Sequence, residues 1–123
     1  MPSILLADES KDFRETLATL LTMKGYQVIC VPHREEVLSM IRSVSPQVVL
    51  LDVGCEENDG SDMCLQIREE FGEQLPVILT SNDYELLSQL SQYSAVGHLE
   101  KPFEFSVLLT KLQVAFSKHS GNE

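Results

Sequence analysis

Tryptophan is absent from this chain, and aromatic residues, basic residues and long apolar runs are all scarce. Aromatic residues make up 7% of the 123 residues, whereas the hydrophobic share of 43% is that of an ordinary globular protein. No apolar run approaches the roughly 20 residues that a membrane-spanning helix needs. The first apolar stretch ends at an acidic pair, so we expect no signal peptide and no membrane contact. This length fits one domain.

Basic residues are outnumbered by acidic ones. Nine Lys and Arg stand against nineteen Asp and Glu, which gives a formal net charge of −10. A surface this negative repels phosphate backbones, so we expect no direct binding to nucleic acid. It favours cationic partners, either metal ions or basic patches on other proteins.

Cysteine is also scarce. The three cysteines, Cys30, Cys55 and Cys64, are an odd number and show no C-x-x-C spacing. They are typical of reduced thiols, so the sequence predicts a cytoplasmic protein. Cys30 is predicted to lie in the core, as free cysteines often do.

Short apolar segments alternate five times with longer amphipathic stretches. The pattern predicts strands over 3–7, 26–31, 47–52, 76–80 and 96–99. A helix follows each strand; the fourth is predicted over about 84–93, and the last begins at Pro102. The alternation indicates an α/β fold, a (βα)₅ three-layer sandwich whose parallel sheet has the flavodoxin-like order 2-1-3-4-5. The domain is predicted to span 1–118, followed by a disordered tail over 119–123.

Carboxylates follow two of the predicted strands. Asp8 and Glu9 come directly after the first strand, and Asp52 ends the third. Ligands bind at the carboxyl ends of strands in such sheets, and strands 1 and 3 are neighbours in this order. Three carboxylates close together repel one another unless a cation compensates them, and Mg²⁺ prefers carboxylate and water oxygens. The sequence therefore predicts a magnesium site here.

Hydroxyl residues and a lysine lie at the ends of strands 4 and 5, respectively. Thr80 and Ser81 follow strand 4, and Lys101 follows strand 5. Both groups can bind phosphoryl oxygens, the hydroxyl by a hydrogen bond and the ammonium by its charge. Together with a carboxylate nucleophile and a metal, they predict a phosphoryl-transfer site that forms an aspartyl phosphate on Asp52.

These residues, in this order and at these strand ends, resemble the receiver domains of bacterial two-component response regulators over nearly the whole chain. The matching positions are Asp8, Glu9, Asp52, Gly60, Lys101 and Pro102. The resemblance implies a phosphorelay signalling domain. A sensor histidine kinase or a histidine phosphotransfer protein would phosphorylate Asp52, and Asp8, Glu9, Asp52 and the backbone carbonyl of Gly54 would hold Mg²⁺. Phosphorylation would switch the face of helix 4, strand 5 and helix 5 toward an output domain or an effector protein.

The switch hydroxyl can be assigned to either of two residues, and the switch aromatic position departs from the family pattern. Counted from Pro76, the switch hydroxyl falls at Ser81; counted back from Lys101, Thr80 fits better. We prefer Ser81, because strand register is set locally. The switch position three before the lysine usually holds Tyr or Phe in this family, and here it holds His98.

Three other functions fit parts of the pattern. A degenerate receiver would dock partners without being phosphorylated. A small phosphotransferase with an Asp nucleophile would need a D-x-D motif after the first strand, which this sequence lacks. A flavodoxin-like carrier would cradle a flavin phosphate after that strand, where acidic residues here would repel it. The receiver interpretation implies self-phosphorylation and autodephosphorylation but no enzyme with a separate substrate.

Overall fold

The computed structural model describes residues 2–54, 61–93 and 97–120. Its strands are β1 (Ser3–Ala7), β2 (Gln27–Val31), β3 (Val48–Asp52), β4 (Val77–Ser81) and β5 (Gly97–Glu100). Its helices are α1 (Lys11–Met23), α2 (Val37–Val44), α3 (Ser61–Phe71), α4 (Tyr84–Leu90) and α5 (Phe105–Ser120). Short 3₁₀ turns lie at Arg34–Glu36, Gly72–Gln74 and Ser91–Tyr93.

The five strands form one parallel sheet in the order β2-β1-β3-β4-β5. This confirms the predicted fold and strand order. The chain moves to one side of β1 to form β2 and to the other side to form β3. A crevice therefore opens at the carboxyl ends of β1 and β3, where ligands bind in folds of this type.

The helices pack in two layers, one on each face of the sheet. Helices α1 and α5 bury Leu17 and Leu112 on one face, and α2, α3 and α4 bury Ile41, Ile67 and Leu87 on the other. Strand β3 contributes to both cores, because successive side chains of a strand point to opposite faces. This explains its continuous apolar sequence, which is typical of a strand covered on both sides.

Capping residues start two helices close to the ends of their strands. The Ser10 hydroxyl accepts a hydrogen bond from the Phe13 backbone N–H, and the Asp83 carboxylate accepts one from Leu86. Both side chains satisfy backbone N–H groups that the first helical turn leaves unpaired. The loops after β1 and β4 are therefore short, and they hold the polar residues there beside the sheet.

The predicted element bounds differ from the structure mainly near the C-terminus. The fourth helix ends as an α-helix at Leu90 and continues as the 3₁₀ turn through Tyr93. Strand β5 begins at Gly97, and the predicted first residue of this strand, 96, lies outside the described residues. Helix α5 continues to Ser120, into the segment predicted to be disordered, and 121–123 lie outside the described residues. The domain boundary itself stays a prediction.

The prediction that Cys30 lies in the core is wrong, because its side chain is exposed. Among the described strands, β2 forms an edge of the sheet and pairs with β1 alone, so its residues are less covered than those of β1 or β3. Cys64 on α3 is buried, and Cys55 lies outside the described residues. No helix in the described part of the chain combines the length and apolar character required to cross a membrane.

Candidate functional site

The candidate site lies at the carboxyl ends of four strands. Asp8 follows β1, Asp52 is the last residue of β3, Ser81 is the last residue of β4, and Lys101 follows β5. Strand register fixes this arrangement: Asp52 is aligned with Thr80 across the β3–β4 pair. The structure therefore brings together the polar strand ends that the sequence pattern singled out.

The Lys101 ammonium links the two buried carboxylates of the site. Its Nζ lies 2.7 Å from Asp8 Oδ2 and 3.3 Å from Asp52 Oδ1. The side chain of Asp8 is 2% exposed, and those of Asp52 and Lys101 are 16% and 18% exposed. One cation thus faces two carboxylates in a pocket that is largely shielded from water. With both carboxylates ionised, the three groups together carry a net negative charge.

Backbone contacts fix Asp8 within this cluster. Its Oδ1 accepts a hydrogen bond of 2.9 Å from the Ser10 N–H, and its carbonyl accepts one of 2.8 Å from Arg14 Nη1. The Asp8 N–H donates to the carbonyl of Val31 at 3.2 Å. The carboxylate therefore meets Lys101 in a single orientation, set by the turn that starts α1.

The charge state of Asp52 reflects opposing effects. Burial raises the pKa of its carboxyl group above the ordinary value, the positive charge of Lys101 lowers that pKa, and the negative charge of Asp8 raises it again. A hydrogen bond from the Gly54 backbone N–H favours the ionised form. The net effect is a raised pKa, so the ionised carboxylate is held at a cost that a bound cation would reduce.

The two hydroxyls at the end of β4 have different partners. The Thr80 Oγ1 lies 3.5 Å from Asp52 Oδ1, which is long for a hydrogen bond between oxygen atoms. The Ser81 hydroxyl donates to the Gly54 carbonyl and accepts from the Asp83 N–H. Both residues are buried. The choice between them as the switch hydroxyl stays a prediction, and Ser81 has the stronger hydrogen bonds.

Comparison with known proteins decides the family. The response regulator receiver domain family matches residues 4–113. This chain belongs to that family. The match covers β2 to β5 and α1 to α4 completely, β1 from its second residue onward, and the first nine residues of α5.

Among curated relatives, the response regulator MprA of Mycobacterium sp. strain KMS is 32% identical over 123 residues, covering 98% of this chain and 53% of the relative. The chain thus spans about half the length of the curated relatives it matches.

Among solved structures, the response regulator TrrA of Thermotoga maritima, in complex with Mg²⁺ and BeF, has 27% identity and a TM-score of 0.82, with 94% of this chain and 99% of that chain covered. A receiver domain protein of Clostridium thermocellum reaches a TM-score of 0.88 at 19% identity with complete coverage of both chains, which supports the fold alone.

Glu9 of this receiver domain pairs with Arg34. Its side chain is 53% exposed, and it lies 3.9 Å from the guanidinium of Arg34. Arg34 also donates to the carbonyl of Val53 at 3.2 Å. Within the residues that the structure describes, no three His, Cys, Asp or Glu side chains come together as a metal site. The predicted convergence of three carboxylates is thus found for Asp8 and Asp52, and the role of Glu9 as a ligand stays a prediction.

Sequence reasoning missed Arg34 and Phe13. Arg34 lies in a 3₁₀ turn after β2, and no motif in the sequence marks it as part of the site. Phe13 lies in the first turn of α1, where its helical spacing indicated only a core residue. In the structure its ring lies beneath the Lys101 ammonium, which is 4.0 Å from the ring centroid.

Two further predictions concern β5 and the loop after β3. His98 is half-buried on β5 and aligned with Leu79 of β4, and its role as the switch residue stays a prediction. Gly54 adopts a φ of +79°, a left-handed conformation that suits glycine. The acidic residues that follow it, and Gly60, lie outside the described residues.

Proposed function

We propose that this receiver domain accepts a phosphoryl group on Asp52 from the phosphohistidine of a sensor histidine kinase or a histidine phosphotransfer protein. The observation that carries the proposal is the position of Lys101, whose ammonium lies 3.3 Å from Asp52 Oδ1. A phosphoryl group on that carboxylate would have a cation beside it, which stabilises the charge of phosphoryl oxygens. Phosphoryl transfer depends mainly on such positioning and electrostatic stabilisation.

The donor atoms of the site fit Mg²⁺. The carboxylates of Asp8 and Asp52 and the carbonyl of Gly54 are all oxygen ligands, and Mg²⁺ is commonly held by one or two carboxylates together with waters. Lys101 compensates only part of the carboxylate charge. The Gly54 carbonyl accepts a hydrogen bond from Ser81, and a carbonyl oxygen has a second lone pair with which it would bind a cation. When bound, the cation would neutralise charge that develops on the transferring phosphoryl oxygens.

The chain's own residues would act in a simple order. An oxygen of Asp52 attacks phosphorus in line with the histidine nitrogen of the donor; the oxygen–phosphorus bond forms as the phosphorus–nitrogen bond breaks. The electron pair of that bond returns to the imidazole, which takes up a proton. The Lys101 ammonium then pairs with a phosphoryl oxygen, and the Ser81 hydroxyl rotates away from Gly54 to donate to another. Hydrolysis of the acyl phosphate by water restores the carboxylate.

These contacts would bias a two-state equilibrium. Ser81 ends β4, and its carbonyl accepts a 2.7 Å hydrogen bond from the Lys101 backbone N–H. The two residues that engage the phosphoryl group are therefore joined directly, and a change at one is felt at the start of α4 and the end of β5. A ligand shifts such an equilibrium only by contacts that differ between the two states. We propose that the α4-β5-α5 face, including His98, differs in conformation between the two states.

The partners follow from the same proposal. A kinase or phosphotransfer protein would supply the phosphoryl group, and an output domain or effector protein would bind the switched face. The net charge of −10 argues against nucleic acid binding by this domain itself. Cys30 and Cys64 are free thiols in the structure, in line with a cytoplasmic location.

The test is incubation with acetyl phosphate and Mg²⁺ followed by intact-protein mass spectrometry. We expect a Mg²⁺-dependent adduct of about 80 Da on the wild-type chain, and none on Asp52→Asn. Asp83→Asn is the matched control, because Asn caps a helix as well as Asp does and Asp83 is the cap of α4. An adduct that persists in Asp52→Asn would show that another residue is the acceptor. No adduct from acetyl phosphate or from a phosphorylated kinase would identify a receiver that docks partners without phosphorylation.

A further inference from the structure

The Lys101 ammonium contacts an aromatic ring in addition to its two carboxylates. It lies 4.0 Å from the centroid of the Phe13 ring, within the range of a cation–π interaction. Such contacts are stronger when the cation is shielded from water, and the Lys101 side chain is 18% exposed. Lysine has a long, flexible side chain, so a contact of this kind restricts where its charge can lie.

The Phe13 ring is itself held in place from two directions. Its backbone N–H donates to the Ser10 hydroxyl, which fixes the first turn of α1 beside Asp8. Its ring meets that of Phe103 edge-to-face, with centroids 5.9 Å apart and planes at 85°. Edge-to-face packing is a favoured arrangement of aromatic rings. The surface below Lys101 is therefore formed by α1 and by the segment that leads into α5.

A ring supports the ammonium without adding charge to the site. A third carboxylate at this position would repel the phosphoryl group and would compete with it for Lys101. The Phe13 ring attracts the ammonium through its quadrupole and stays neutral. It can therefore keep the charge of Lys101 next to Asp52 both before and after a phosphoryl group arrives.

We propose that Phe13 is a positioning residue for Lys101, holding the ammonium where the oxygens of a phosphoryl group on Asp52 meet it. The inference rests on the proposed function of Asp52 as the acceptor. In this proposal Phe13 acts through Lys101, the cation that its ring contacts. An aliphatic side chain of similar size would fill the same space but would not attract the ammonium.

The position of Lys101 can be measured without phosphorylation. In NMR spectra of the unmodified domain, the ring current of Phe13 should shift the Lys101 ε-methylene protons upfield. We expect this shift to be lost in Phe13→Leu and kept in Phe13→Tyr, where the ring remains. The matched control is Phe116→Leu, which removes a ring on α5 that stacks on Tyr26 with centroids 5.4 Å apart, away from Lys101. An unchanged ε-methylene shift in Phe13→Leu would overturn the proposal.

The second measurement is affinity for beryllofluoride with Mg²⁺, as a mimic of the phosphoryl group. Loss of a cation–π contact predicts binding about two- to thirty-fold weaker in Phe13→Leu, with recovery in Phe13→Tyr. Equal losses in Phe13→Leu and Phe116→Leu, or no recovery in Phe13→Tyr, would overturn the proposal, because general loosening of the helices would explain them. If the wild-type chain binds no beryllofluoride, the proposed function fails, and the ε-methylene shifts still show whether the Lys101 side chain lies against the Phe13 ring.

Discussion

The carboxylate of Asp8 lies 2.7 Å from the ammonium of Lys101, although 93 residues separate them in the chain. Asp8 is nearly inaccessible, so removing the ammonium leaves a buried carboxylate without its cation. Breaking such a buried pair from one side is costly, because the remaining charge has lost its compensation. The pair therefore ties the end of β5 to the end of β1.

Replacing Lys101 with Met should lower the free energy of unfolding by about 3 kcal/mol, because the Asp8 and Asp52 carboxylates would then repel each other without compensation. Urea denaturation in the presence of EDTA would measure the loss. Lys24→Met is the control, since Lys24 is exposed at the C-terminal end of α1. A loss no larger than that of the control would show that the Asp8–Lys101 pair contributes nothing to stability.

The pH dependence of stability in metal-free protein should differ between the wild type and Asp52→Asn. Burial raises the pKa of Asp52 above its ordinary value of 3.8, so the folded chain holds this proton longer than the unfolded chain does. The contribution of Asp52 to stability therefore falls as the pH rises from about the ordinary pKa to the raised one, and is constant above it. We expect Asp52→Asn to gain stability relative to wild type through that window, measured by urea denaturation from acid to neutral pH.

Glu70→Gln provides a control of opposite sign for that experiment. A hydrogen bond from Arg42 lowers the pKa of Glu70, so the ionised Glu70 stabilises the fold and this contribution is lost as the pH falls. Relative to wild type, Glu70→Gln should therefore lose stability as the pH rises. A relative loss with rising pH in Asp52→Asn as well would contradict the raised pKa of Asp52.

The two hydroxyls of β4 can be separated by substitution. Ser81→Ala should abolish the response of β5 and α4 amide signals to beryllofluoride, because the hydroxyl that would donate to the phosphoryl group is gone. It should also cost about 1–3 kcal/mol of stability, since the Asp83 N–H and the Gly54 carbonyl lose a partner. Thr80→Val keeps the shape of the side chain and should retain the NMR response. The reverse result would identify Thr80 as the switch hydroxyl.

Arg34 should weaken metal binding by its charge and by its contact with Glu9. Arg34→Ala removes a cation from beside one proposed ligand, Glu9, and we expect Mg²⁺ to bind about two- to five-fold more tightly, a change typical of one partly exposed charge pair. Isothermal titration calorimetry would measure the affinity. The control is Arg42→Ala, because Arg42 pairs with the exposed Glu70 and, among the described residues, forms no ion pair with the site. Weaker Mg²⁺ binding in Arg34→Ala would show that Arg34 supports the site instead.

The sequence pattern was sufficient to predict the fold and the positions of Asp8, Asp52 and Lys101. Asp8 follows and Asp52 ends a short apolar run that indicates a buried strand, whereas the strand before Lys101 is shorter and more polar. The carboxyl ends of the strands of a parallel sheet share one edge. The contact between Lys101 and Phe13 was not predictable, because it depends on how α1 packs against the segment before α5. Periodicity identifies an apolar face but does not say which polar atom lies against it.

The other two differences between prediction and structure, at Glu9 and Cys30, also arise from tertiary packing. The sequence could not show that Glu9 lies beside Arg34, because no spacing rule connects a residue after β1 with a turn after β2. Cys30 was predicted to be buried because free cysteines often are, but exposure on an edge strand depends on the strand order and on what covers that edge. Local sequence determines where strands end, and tertiary packing determines which side chains meet there.

The sheet separates the apolar interior into two layers, with α1 and α5 on one side and α2, α3 and α4 on the other. Substitutions such as Leu112→Ala and Ile67→Ala lie in different clusters of buried residues, so their effects on stability should be nearly additive. Residues of one layer can then be substituted during evolution without compensating substitutions in the other layer. A family built on this plan can evolve new specificity on one surface while the opposite surface and the strand-end residues stay under their own constraints.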